Sequence, residues 1–197
     1  MWEIAKNTVD DFKRAIVDDL PLARAPHPGW VTPPKGVYKI NVDGATSNEG
    51  RNFSIGVIIR NERGQQIAAL SKVLQAQYSA ELVEAIAMEQ GVLLAQEMEC
   101  SYVIFGADAL SVIQAINDSN TSSDCDHIVQ EIQLARASFA SCSFHHLKRD
   151  YNKVAHELAK QARRCNSTHV WKGVTHLLPP FVAPLVQADL LYSSSFG

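Results

Sequence analysis

The groups in this sequence with the most chemistry to offer are acids at strand ends and on an apolar helix face. Asp43 ends the strand read within Tyr38-Lys39-Ile40-Asn41-Val42-Asp43-Gly44-Ala45, whose alternation sets Tyr38, Ile40 and Val42 on one side and Lys39, Asn41 and Asp43 on the other. Asp108 closely follows the apolar residues 102–105. Taken singly, Asp-Gly after a strand is a turn and an Asp ahead of a short helix is a cap. Glu81 and Glu84, however, both fall within the broad apolar arc of a helix, where a charge either snorkels to water or is paired or metal-bound. Three carboxylates meeting at one point raise one another's pKa unless cations neutralise them. Hard oxygen ligands with no Cys nearby point to Mg2+ or Mn2+. Two such ions about 3.5–4 Å apart are the usual apparatus for in-line hydrolysis of a phosphodiester.

A sheet and several helices must position these acids. Residues 37–43, 54–60 and 66–74 read as strands, and Asn61-Glu62-Arg63-Gly64 reads as a hairpin turn between the last two. Residues 79–97 form a long helix with Ala80, Val83, Ala87, Gly91, Leu94 and Met98 on its core stripe and Ser79 as cap. The run 102–105 suits a strand buried on both faces. A short helix over 111–117, a polar turn over 119–126, a helix over 126–139, a strand over 141–147 and a helix over 152–164 follow. This order predicts a three-layer α/β fold: a five-stranded mixed sheet, three antiparallel strands then αβαβα, with helices on both faces. Residues 1–20 read as an amphipathic helix and 21–36, with five prolines, as a linker. The domain is expected over 37–166 and a tail over 167–197.

Composition narrows the function classes. The 197 residues are 46% hydrophobic and 20% charged, enough for an ordinary core. A net charge of -3 supplies no global basic field, so any nucleic-acid site must be a local patch. Cys100, Cys125, Cys142 and Cys165 show no C-x-x-C spacing, which argues against a zinc ribbon and for reduced thiols inside a cell, nucleus or cytoplasm. No window approaches about 18 uninterrupted apolar residues, so no membrane association is expected.

Several elements in order carry a family resemblance: Trp30 with Pro33-Pro34, the run 39–45, Gly56-Val57-Ile58-Ile59-Arg60, Ala80-Glu81-Leu82, Asp108, and Asn152-Lys153-Val154-Ala155-His156-Glu157-Leu158-Ala159. The chain resembles the ribonuclease H superfamily, in particular the ribonuclease H-like domains of plant proteins related to non-LTR retrotransposons. The resemblance implies an endonuclease that cuts the RNA strand of RNA–DNA hybrids using two Mg2+ or Mn2+ ions. It places the helix ligand in the Ala-Glu pair, at Glu81 rather than Glu84, beside Asp43 and Asp108. Where well-known members carry a fourth Asp, four residues after an Asn, this chain has His156 after Asn152. His is a softer ligand, better suited to Mn2+, and can also move protons. The alternative is a catalytically weak or inactive nucleic-acid-binding or interaction domain.

Basic residues gather in 148–164. Arg149, Lys153 and Lys160, with Asn152 and with Gly44 as a point of close backbone approach, are expected to contact nucleic acid. His145-His146 read as strand residues without a catalytic role, and the chain is expected to work as a monomer.

Overall fold

The structure, a computed structural model, describes residues 29–46, 53–76, 78–118, 124–173 and 178–194. The helix expected over 1–20, the linker up to residue 28, all of residues 48–52 and most of the polar turn over 119–126 lie outside the described residues.

The meander forms as read: β1 (Tyr38–Thr46), β2 (Phe53–Arg60) and β3 (Gln66–Leu74) pair antiparallel. The Asn61 side-chain oxygen accepts from the amides of Arg63 and Gln65 to close the turn, and Gly64 takes a φ of +69° there. β4 (Tyr102–Ala107) adds parallel to β1, and β5 (Ser141–His146) parallel to β4. The helices are α1 (Ala80–Glu97), α2 (Leu110–Asp118), α3 (Asp126–Ala135), α4 (Lys153–Cys165) and α5 (Ala183–Ser194).

Alternation along the strands decides which helices cover which face. Ile40, Val42, Ile55, Val57 and Ile59 pack with Val83 and Met88 of α1, Val112 and Ile116 of α2, and Ile128 and Ile132 of α3. The opposite face sets Ile58 and Ala69 against Val154 and Leu158 of α4 and Val186 of α5. Fully burying a side chain such as Leu158 contributes about 1.5–3 kcal/mol. Gly56 lets α4 lie almost on the sheet, since a Cβ there would stand 2.1 Å from the Ala155 carbonyl oxygen.

Two expectations need correction. The sheet has six strands, in the order β5-β4-β1-β2-β3-β6, because β6 (His169–Lys172) pairs antiparallel with β3. The presumed tail therefore contains a strand and a helix packed on the core. Trp30, assigned to the linker, is buried, so the packed core begins ahead of Gly36. Among the described residues, no helix is long and apolar enough to cross a membrane.

Candidate metal centre

Strand register brings the first two acids together. The last rung between β1 and β4 pairs Asn41 with Gly106. Asp43 and Asp108 each stand two residues beyond that rung, at one level where the parallel strands part. Asp43 is not at a turn, contrary to the reading of Asp43-Gly44: β1 runs on to Thr46, with Asp43 opposite Gly56 and Gly44 opposite Ile55. Continued pairing with β2 keeps the backbone extended there.

The third acid that the structure brings to this point is Glu84; Glu81, expected there, is not in the cluster. Glu81 lies exposed in the first turn of α1, which Ser79 caps by accepting from the Leu82 amide at 3.2 Å. Three residues on, Glu84 reaches past Gly44 and accepts its amide at Oε2, 3.0 Å away. Gly44 permits the approach: a Cβ there would stand 2.9 Å from Val83 Cγ1 and 3.1 Å from the Glu84 nitrogen. Its lack of a side chain thus serves helix packing, where a close approach of substrate was expected. Carboxylate oxygens of Asp43, Glu84 and Asp108 all lie within 4.8 Å of one another.

The electrostatics follow from this crowding. Burial pushes the Asp43 carboxyl up to about 6; the His156 hydrogen bond opposes the shift and the charge of Asp108 adds to it. Burial, then the charges of Asp43 and Asp108, push Glu84 up to about 8 against the pull of the Gly44 amide and Arg149. Such a set of hard oxygens, strained by its own charge, fits a hard divalent cation such as Mg2+ or Mn2+.

Residues of the last long helix close the site from the α4 side. His156 Nδ1 is 3.0 Å from Asp43 Oδ2, and its Nε2 is 3.3 Å from Arg149 Nη2. The same Arg149 Nη2 stands 3.5 Å from Nδ1, so the guanidinium lies against both ring nitrogens of His156. Asn152 does not face substrate as expected. It is buried, and its amide donates to the Val42 carbonyl at 2.8 Å and to Asp108 Oδ1 at 3.2 Å.

A cleft of about 390 Å³ opens at Gly44 and Glu84, with Arg149, His156, Lys160 and Arg163 on its far wall. Arg163 also donates to the Thr46 carbonyl, and Lys160 is held by Glu157 at 2.5 Å. Lys153 does not line this cleft; it is exposed, 3.6 Å from Asp150. His145 turns to Ser143, 3.0 Å away on its own strand. Sequence reasoning set Glu84 aside for Glu81, although the helical wheel put the two on an equal footing. Arg163 gave no stronger signal than its neighbours on the basic helix side.

Residues 41–162 match the model of a family described as reverse transcriptase-like. No curated protein sequence matches the chain. Among solved structures, RNase H1 from the halophilic archaeon Halobacterium salinarum is 16% identical, with a TM-score of 0.60 over 66% of this chain and 99% of that one. LC11-RNase H1, solved in complex with an RNA/DNA hybrid, is 17% identical, with a TM-score of 0.60 over 66% and 98% of the two chains. LC9-RNase H1, described as a type 1 RNase H with the type 2 active-site motif, is 13% identical, with a TM-score of 0.58 over 77% and 85%. At these identities the likeness is one of fold.

Proposed function

This chain belongs to the reverse transcriptase-like family, within the ribonuclease H superfamily, and on that premise we propose that it hydrolyses the RNA strand of RNA–DNA hybrids. Asp43, Glu84 and Asp108 would hold Mg2+ or Mn2+, two ions during reaction, with His156 at the edge of the set in place of a fourth acid. The observation that carries this reading is the convergence of three carboxylates within 4.8 Å, with Asp43 and Glu84 both raised in pKa. That arrangement destabilises the ion-free site and rewards a cation.

Divalent ions at such a site supply positive charge to the scissile phosphate and make water a stronger acid. The chain's own residues do the rest. Asn152 fixes the rotation of Asp108, and the Gly44 amide fixes Glu84. His156 pairs through Nδ1 with Asp43, and Arg149, beside its ring, would be free to turn to a phosphate. Arg149, Lys160 and Arg163 line the cleft where the nucleic-acid backbone would run. Choice of the RNA strand would rest on 2′-hydroxyl contacts in the minor groove.

The experiment is cleavage of an end-labelled RNA–DNA hybrid in Mg2+ and in Mn2+, with Asp43→Asn as control. Metal-dependent cutting of the RNA strand, lost in the variant, is expected. No cleavage in either metal would overturn the reading; retained hybrid binding would then favour a non-catalytic nucleic-acid-binding domain, which His156 in place of an acid also suits.

A further inference from the structure

Resting on the metal-centre reading above, we propose that Asp189 of the C-terminal helix is a positioning residue for that centre. It acts through Arg60, Asn41 and Asn152 on Asp108. The links form one polar chain across the α4 side of the sheet. Asp189 Oδ2 accepts from Arg60 Nη1 at 2.6 Å. Arg60 Nη2 donates to Asn41 Oδ1 at 3.3 Å, and Trp30 Nε1 donates to the same oxygen at 3.0 Å. Asn41 Nδ2 donates to Asn152 Oδ1 at 3.2 Å, and Asn152 Nδ2 donates to Asp108 Oδ1 at 3.2 Å.

The chain has a direction, and the direction is what matters. A side-chain amide presents oxygen at one end and NH2 at the other, and two neighbouring amides fit in either sense unless something fixes an end. Indole and guanidinium can only donate, so together they hold the Asn41 oxygen towards themselves. The Asn41 NH2 must then face Asn152, and the Asn152 NH2 must face acceptors: the Val42 carbonyl and Asp108. Arg60, Asn41 and Asn152 are each 1% exposed, so water cannot substitute for a lost partner.

Asp189 keeps the donor end in place. Arg60 is buried in its strand with its guanidinium 3.6 Å from the centre of the Trp30 ring, and the Asp189 carboxylate is the acid paired with it. Without that charge a buried guanidinium is uncompensated and moves towards water, taking its hydrogen bond to Asn41 with it. α5 is anchored for the task by Val186, packed with Ile58 and Leu158. The C-terminal helix therefore does more than cover the core: through Arg60 it reinforces, together with Trp30, the orientation in which Asn152 meets Asp108.

The test is Asp189→Asn, which removes the charge and keeps the shape, with Asp189→Glu as rescue. In metal-free, nitrogen-15-labelled protein, the side-chain amide signals of Asn41 and Asn152 are expected to shift and to exchange faster with solvent in D189N. Mn2+ affinity is expected to fall by about 10-fold, and D189E to restore both. Wild-type Asn152 signals in folded D189N would overturn the proposal. If D189N does not fold, the double variant Arg60→Met with Asp189→Leu removes the buried pair as a unit. Perturbed Asn152 signals are again expected, and unperturbed ones again overturn it. Because these signals are read without metal, failure of the nuclease reading would show separately, as wild-type protein that neither binds Mn2+ nor cuts hybrid.

Discussion

His156 Nδ1 stands 3.0 Å from Asp43 Oδ2, with Asp43 all but sealed from solvent and the imidazole partly open to the cleft. The position that carries a fourth acid in the resemblance is thus tied to the most buried acid of the centre. The bond opposes the rise in the Asp43 pKa, so His156 favours the charged form that a cation needs. A fourth carboxylate would add repulsion instead.

Glu84, rather than Glu81, should carry metal-dependent activity. Glu84→Gln keeps the size of the side chain and removes the charge, and is expected to lower kcat for hybrid cleavage by at least about 100-fold. Glu81→Gln, in the exposed first turn of α1, should leave kcat within about 3-fold of wild type. Steady-state kinetics on one hybrid in Mn2+ compares them directly.

Ion-free protein should lose stability as pH rises. Glu84 goes from its ordinary 4.5 to about 8 on folding, and Asp43 from 3.8 to about 6. The folded state therefore binds more protons than the unfolded state between those values. These groups favour folding fully below pH about 4. Their contribution is lost as pH climbs through about 6 for Asp43 and about 8 for Glu84. Thermal unfolding in EDTA should show a lower Tm at pH 8 than at pH 5. Glu84→Gln should flatten that slope, and so should saturating Mn2+.

Gly44→Ala tests the close approach of α1 to β1. The added methyl meets Val83 Cγ1 at 2.9 Å and the Glu84 nitrogen at 3.1 Å. Relief requires α1 to shift at the turn that carries the ligand. Urea unfolding should show a loss of about 1–3 kcal/mol, and Mn2+ affinity should fall as well. A loss of stability with unchanged Mn2+ affinity would separate helix packing from ligand placement.

Binding of hybrid should be salt-dependent through the basic wall. Lys160→Gln removes one cation that lines the cleft. Its effect should be a smaller slope of log K against log salt, by about 1, with no change in sequence preference. Fluorescence anisotropy at several salt concentrations, in Ca2+ to prevent cutting, measures it.

Much of the frame was legible because it depends on local pattern. Period-two strands, the Ser79 cap and the apolar run before Asp108 all predict elements that the structure contains. What was not legible depends on angle or on distance along the chain. Glu81 and Glu84 stand three residues, almost one helical turn, apart, and only the packing of α1 over Gly44 brings Glu84 to the site. The segment after residue 166 read as a tail, yet it supplies β6 and α5. Pro184 lies in the first turn of α5, where a missing amide costs nothing. Arg60 meets Asp189 across 129 residues, and Asn152 meets Asp108 across 44; no periodicity encodes either contact.

The most direct measurement is anomalous diffraction from crystals soaked in millimolar Mn2+. Density is expected among Asp43, Glu84 and Asp108, with carboxylate oxygens at about 2.0–2.2 Å from the ion and Glu81 outside its reach. An empty site at full soaking concentration, or Mn2+ bound elsewhere while these carboxylates stay protonated, would contradict the account.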